Sequence, residues 1–508
     1  MCRMLGTYLE KHIEGPLSLW GTVRVRAKCE EHHLLQYDSH PRPLSQRERG
    51  GLSKHALIPI TVLTFLFVVL GVTLLHAAGT ASLRVATFRS DVTPPLGQAI
   101  YSSYKPLATV EHPLWAKGIV LDDGQRRYVL CSVDWCELCN STHTLFRRKM
   151  ADAAGTDIAR VAVQTIHQHT APMGDADAFR LLTKIDNPPP HLDLEFFDKV
   201  TDRLAAAVKE SLGRLEPCDS IGTGQAKVDR VASSRRVRAP DGKIIIRWSS
   251  CTDPKLRAMP EGYIDPYLKT ITFARGDKPL VRLHYYATHP QSFYGDPRAS
   301  SDFPGMAREK LEEDEKVFQI YFNGCGGDIT AGKYNDRSRR ARDELTERLL
   351  AGMKASIAST RFVPAGPIQW RTCPLLLTPR SDQGYTMAEY TAKMKNPKVG
   401  ASERIYSGAM PVAFLQRSKQ PIELSSLQMG DVHILNLPGE SMIEFQLYAQ
   451  RLMPKKFVAV AAYGDCATGY ICTEKAFEEG GYEPTDSLVV PQSEAVLKAA
   501  IRKLLGTE

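Results

Sequence analysis

From about residue 83 to the end of the chain, short apolar runs of β type alternate with stretches whose apolar positions recur at helical spacing. This is the pattern of an α/β chain with mixed sheets and helices. It predicts strands in ARVAVQT (159–165), LVRLHYYAT (280–288), KVFQIYFN (316–323), DVHILNLP (431–438) and KFVAVAAYG (456–464). It predicts helices over 196–215, 340–357, 444–452 and 493–505. No internal repeat stands out, and no Gly/Ser-rich or Pro-rich linker interrupts the pattern, so residues 79–508 read as one large domain.

Ahead of that domain the pattern changes. Residues 56–75, ALIPITVLTFLFVVLGVTLL, run for 20 residues without a charge, the length a helix needs to cross a hydrocarbon core of roughly 30 Å. Arg47, Arg49 and Lys54 precede the run, and the first charge after it is Arg84. The positive-inside bias then leaves residues 1–54 in the cytoplasm, unless that poorly patterned segment is a mis-assigned start, and everything from about Gly79 outside. The small residues that follow, HAAGTAS, also fit a signal-peptide cleavage region, so the expectation for 55–78 is either a single-pass membrane anchor or a signal that is removed to release the domain.

The net charge of +8 is spread over 508 residues as a mixed surface, without the basic stripe that nucleic-acid binding needs. Nine of the eleven cysteines follow the hydrophobic run. Cys136 and Cys139 form a CxxC with no second copy, which reads as a local disulfide or as two buried thiols. Asn140-Ser141-Thr142 is a glycosylation sequon.

The candidate chemistry sits after the predicted strands, which end in TIHQHTAP, HPQS, GCGGDIT, GESM and DCATGYICT. Loops at the carboxyl ends of strands in α/β sheets converge on one crevice. If the first strand continues through His167 and His169, their spacing puts both imidazoles on one face. His289 stands just before Pro290, where its strand must stop. Glu440 follows Pro438-Gly439 and precedes a helical pattern, so it is either a metal ligand or a first-turn acid favoured by the helix dipole. Two histidines and a glutamate make the ligand type of a hydrolytic zinc site. Gly326-Gly327-Asp328 either lets backbone approach a ligand or serves a turn that needs positive φ, and Thr330 offers a hydroxyl nearby.

In the same order along the chain, these segments resemble the motifs of the neutral, non-lysosomal ceramidases. DVTPPLG (91–97) is similar to the family's opening segment, and TIHQHTAP (165–172) to its His-Thr-His-Ser-Gly-Pro. YYATHPQS (285–292) is similar to Phe-Ala-x-His-Pro-Thr-Ser, and GCGGDITAG (324–332) to Asn-x-Gly-Asp-x-Ser-Pro-Asn. PGES (438–441) and ATGYICT (467–473) resemble Pro-Gly-Glu-Phe and Tyr-Thr-His-Tyr-Ile-Thr-Thr. The resemblance, over residues 84–490, implies a neutral-ceramidase-like catalytic domain with Zn²⁺ held by His167, His289, Glu440 and Tyr470. It implies His169 as a proton-transfer or substrate group, catalytic neighbours at Asp328 and Thr330, and substrate contacts from Tyr482 and Arg235.

The chain departs from the family pattern at Thr330-Ala331-Gly332, where the family has Ser-Pro-Asn, and at Thr170-Ala171, where it has Ser-Gly. The well-known members also continue into an immunoglobulin-like domain, and this chain ends at Glu508. The implied activity is zinc-dependent hydrolysis of a linear amide, an N-acyl lipid of the ceramide type, by water activated on the metal. The alternatives are a metal hydrolase of another amide, ester or phosphoester, and a zinc-stabilised surface binding protein without turnover.

Overall fold

The computed structural model describes residues 83–101, 104–293 and 295–507. The hydrophobic run at 56–75 and residues 1–54 lie outside the described residues. Among the described residues no helix is long and apolar enough to cross a membrane.

Twelve strands and six helices carry the framework, in the chain order β1 (Arg84–Asp91), β2 (Trp115–Asp122), β3 (Arg127–Val133), α1 (Asn140–Ala154), β4 (Val161–Thr165), α2 (Leu194–Ser211). There follow β5 (Ser220–Lys227), β6 (Tyr267–Arg275), β7 (Lys278–Tyr286), α3 (Asp302–Glu315), β8 (Phe318–Asn323) and α4 (Arg339–Ala358). The last group is β9 (Ile368–Leu375), β10 (Ile422–Met429), β11 (Val432–Asn436), α5 (Ile443–Leu452), β12 (Phe457–Ala461) and α6 (Ser493–Leu505).

The same order, βββαβα, occurs three times. In each sheet three strands run antiparallel, and the fourth pairs parallel with the third: β3 with β4, β7 with β8, β11 with β12. A parallel pair needs a long crossover, and α1, α3 and α5 supply it. The helix after each fourth strand returns over the sheet, with α2 against β1, α4 against β5 and α6 against β9. This repeat of topology has no repeat of sequence behind it, because what recurs is the placing of apolar runs rather than particular residues.

The sheets meet on a shared core that takes Leu130 and Ala162 from the first, Leu283 and Ile320 from the second, and Ile434 and Ala459 from the third. Helices cover the outer faces, with Phe146 and Leu204 packed into one outer core and Phe303 and Leu349 into another. Strands buried on both faces need not alternate apolar with polar, and β4 (VAVQT) and β11 (VHILN) are buried at every position.

Of the predicted strands all five are present, four trimmed by one to three residues at one or both ends and β7 displaced two residues towards the N-terminus, and all four predicted helices are present too. Four of the antiparallel outer strands, β1, β5, β9 and β10, alternate or mix polar residues with apolar ones. The strand β4, however, stops at Thr165: His167 adopts φ 60°, so the pair His167/His169 belongs to a turn and not to one strand face. All nine described cysteines are free and buried, Cys136 and Cys139 among them. Asn140 is buried as well; its amide donates to Asp175 at 2.9 Å, which leaves the sequon inaccessible.

The loop after β3 is anchored by a fully buried ion pair, Asp134 with Arg308 of α3, closed by two bonds of 2.7 and 2.8 Å. The backbone carbonyl of Asp134 accepts the side-chain amide of Gln168 at 2.8 Å, so the pair also steadies the histidine turn. Replacing Asp134 by Ala strands a guanidinium and is expected to cost about 3–5 kcal/mol in chemical denaturation. The double replacement Asp134→Leu with Arg308→Met is expected to recover most of that loss.

Candidate metal centre

Each unit sends the ends of its parallel strand pair to one place. The first contributes Cys136 and Glu137 after β3 and His167 and His169 after β4. The second contributes His289 after β7 and the Gly326–Asp328 turn after β8, and the third contributes Glu440 after β11 and Tyr463 and Tyr470 after β12. Backbone bonds lock the loops across units: Thr165 N–H to the Tyr463 carbonyl at 2.9 Å, Gly327 N–H to Ser441 at 3.0 Å, and Ala462 N–H to Asn323 at 2.9 Å.

His167 Nε2 lies 2.9 Å from His289 Nε2 and 3.1 Å from Glu440 Oε2, and His289 Nε2 is 3.7 Å from the same oxygen. His167 Nδ1 faces the Cys136 carbonyl at 3.1 Å, and His289 Nδ1 the Gly326 carbonyl at 3.3 Å. A carbonyl only accepts, so each Nδ1 donates and each ring turns its Nε2 edge inward. Burial, with His167 and Arg235 nearby, holds the imidazoles of His289 and His169 well below the usual histidine range, in the neutral form. Glu440 Oε2 is buried with no hydrogen-bond partner. Three acceptor atoms thus face one point, and His167, His289 and Glu440 can hold a metal ion.

His169 Nε2 is 3.3 Å from His167 Nε2, at the edge of the cluster. Tyr470 is brought beside Glu440 by a parallel backbone pairing of Glu440–Ser441 with Tyr470–Ile471. Its phenol oxygen accepts Arg235 Nη1 at 2.9 Å. The buried guanidinium also lies over the rings of Tyr470 and Tyr482, and its Nε is 4.0 Å from Glu483. His167, His169, His289, Glu440, Tyr470, Arg235 and Tyr482 all line one cavity of about 340 Å³, whose rim carries the half-exposed Trp248.

Glu440 does not cap a helix. It pairs as extended backbone, and α5 starts at Ile443. The first-turn position is served instead by Asp328, whose Oδ1 accepts the Ile443 N–H at 2.8 Å. Asp328 faces a neighbouring pocket, and Thr330 is fully buried in a short pairing with Ser233, its hydroxyl accepting the Gly332 N–H at 3.2 Å. Neither lines the cavity with the histidines. Gly326 and Gly327 do not need positive φ; they permit close approach, since a Cβ on Gly327 would sit 2.4 Å from the Glu440 carbonyl oxygen.

Glu137 was not singled out from the sequence, and neither were Tyr463, stacked on His167 at 4.3 Å, or Tyr101, 5.3 Å from His169. Glu137 is buried, and burial together with the neighbouring Glu440 pushes its carboxyl well above the usual range. Reading β3 as a strand would have exposed Glu137, which stands at that strand's carboxyl end as the histidines stand at theirs.

The fold that brings these ends together is that of neutral ceramidase. The neutral ceramidase of Pseudomonas aeruginosa superposes with a TM-score of 0.63 at 14% identity, covering 84% of this chain and 75% of that one. A structure described as ceramidase complexed with C2 superposes with a TM-score of 0.61 at 15% identity, covering 83% and 74%. No family model matches the chain, and no curated protein matches it.

Two measurements test the centre. The purified protein is expected to carry about one divalent ion per chain by plasma mass spectrometry, and His167→Ala, His289→Ala or Glu440→Gln should reduce occupancy to roughly a tenth or less. Gly327→Ala, which removes no ligand, should lower it in the same direction by displacing Glu440. Separately, burial raises the Asp328 carboxyl to about 7. Folding therefore takes up a proton there above the unfolded value near 4, so its contribution is present at low pH and is lost as pH rises towards 7. Asp328→Asn, which keeps the acceptor for Ile443, is expected to gain stability relative to wild type over that window in urea titrations.

Proposed function

We propose that this protein is a zinc-dependent hydrolase of a linear amide, an N-acyl lipid of the ceramide type. The observation that carries the reading is the inward crowding of the His167, His289 and Glu440 acceptors within a cavity that also holds Tyr470, Arg235, His169 and Tyr482. The shared fold supports the choice of reaction, because the two superposed structures are both ceramidases. In this proposal Zn²⁺ is held by His167, His289, Glu440 and Tyr470. Bound there, the ion would supply Lewis acidity, making a water molecule more acidic and polarising the amide carbonyl.

The remaining steps belong to side chains. His169, neutral and at the edge of the cluster, takes a proton from the attacking water and returns it to the departing amine. Tyr482, held edge-on between Tyr470 and Trp248 with its hydroxyl taken by Asp486, presents its ring to the substrate at the mouth. Arg235 keeps its charge through Glu483 and Tyr470 and steadies the phenol, with its field directed at the oxygen on which negative charge develops. Thr330 and Asp328 act on backbone geometry, so the family serine's replacement by threonine does not touch the reacting groups.

Release of fatty acid from a short-chain fluorescent ceramide by the zinc-loaded protein tests the proposal. His169→Ala is expected to lower kcat by about 10²–10⁴-fold with zinc content unchanged. A zinc-replete protein inert towards every N-acyl substrate tried would leave the binding-protein alternative standing.

A further inference from the structure

The cavity of the metal centre has a neighbour. Glu137 and Tyr406 line it and also line a second pocket of about 280 Å³. Tyr406 belongs to a π-helical turn, Ile405–Ala409, set between the helical segments Ala401–Arg404 and Met410–Arg417. Such turns insert one residue into a helix and recur at functional sites. Here the insertion lets the Tyr406 ring divide the two spaces, 6.2 Å from Tyr101, which in turn contacts His169.

The polar groups of the second pocket are largely engaged with one another. Asp486 takes the hydroxyls of Tyr482 and Tyr406. Glu137 is hydrogen-bonded to Glu440 and receives the Cys139 thiol at 3.6 Å. The Tyr385 hydroxyl donates to the Thr485 carbonyl at 2.9 Å. Lys393 is half-buried at the rim beside the exposed Gly384. What is left as wall is the rings of Tyr385, Tyr390 and Tyr406 with Met410, Pro411 and Leu488. An apolar, aromatic pocket that opens onto a polar reaction centre fits the uncharged part of a ligand whose polar group sits at that centre.

We propose, building on the amide-hydrolase reading, that this pocket receives one unbranched alkyl arm of the substrate, with Tyr406 as the partition and the other arm leaving past Trp248. An amide carries an arm on each side of its reacting bond, and the second pocket on one side and the Trp248 side of the cavity on the other offer a place for each. A volume of 280 Å³ equals about nine water volumes. The pocket therefore holds an arm of roughly ten carbons, and a longer arm emerges at Gly384, where further methylenes add little.

The test is calorimetric binding of n-alkyl carboxylates and, in parallel, n-alkylamines of roughly two to sixteen carbons to the full-length metal-loaded protein. One series is expected to tighten by about four-fold per methylene and to level off near ten carbons; the series that does so identifies the arm. Met410→Trp and, from another segment, Leu488→Trp should flatten that dependence. Both should also lower, by at least about ten-fold, the ratio of kcat/KM for a ten-carbon over a two-carbon chain on that arm of the amide. Tyr385→Ala, at the partly exposed rim, should move the plateau to longer chains and serves if the tryptophan variants do not fold. A wild-type length dependence that is absent, or that survives all three substitutions, overturns the pocket assignment even if amides are hydrolysed. A length dependence that is lost in the variants while no amide is hydrolysed upholds the pocket and removes the hydrolase reading.

Discussion

Two imidazole nitrogens and a carboxylate oxygen, all turned lone pair inward, are held within 2.9 to 3.7 Å of each other in a buried space. Mutual repulsion of such atoms is weakly screened away from water, so the arrangement persists only because backbone on every side dictates it, or because a cation occupies the point they face. The first condition is built in, and the second is what the arrangement invites. His167 takes a left-handed φ of 60°, uncommon for a residue with a Cβ, and its neighbours fix it through the Trp135 and Cys136 carbonyls. Strain kept in this way at a cluster of acceptors is spent on pre-forming a ligand set.

The three βββαβα units explain how distant residues come to share that point. Each unit has one parallel strand pair, and a parallel pair leaves both carboxyl ends at the same edge of its sheet. When three sheets share one core, three such edges face each other, and ligands separated by 273 positions, His167 and Glu440, become neighbours. The Asp134–Arg308 pair joins the first unit to the second beneath the site, and the short Glu440/Tyr470 pairing closes the third. Gly326 and Gly327 then let the second unit's turn pass against the third at distances that no Cβ would permit.

Much of this was legible in the chain. The fully buried strands announce themselves as apolar runs, and the residues that follow them carry the chemistry, so strand ends were the right place to look. Less legible was anything that depends on two units meeting. Asp328 and Thr330 follow β8 as His289 follows β7, yet the Asp328 carboxylate turns to the start of α5 and the Thr330 hydroxyl to the Gly332 N–H, away from the cavity. Glu440 resembled a helix-capping acid only because α5 begins three residues later; the cap is Asp328, from another unit. Glu137 escaped notice because β3 is preceded by a hairpin rich in Asp and Arg, which masks the apolar run RYVLCSV.

Charge balance around the centre follows from the same packing and accounts for a phenol among the ligand candidates. Burial and the neighbouring Glu440 push the Glu137 carboxyl well above the usual range, and Asp486 is likewise raised by burial while it takes two tyrosine hydroxyls. Arg235 is balanced by Glu483, which Arg236 also engages at 2.9 Å. Burial raises the phenol of Tyr470, and Arg235 opposes that rise; a cation at the cluster acts in the same sense as Arg235. A phenol, unlike an imidazole, can give up a proton to a nearby cation, so it is a side chain whose charge could offset part of an ion's.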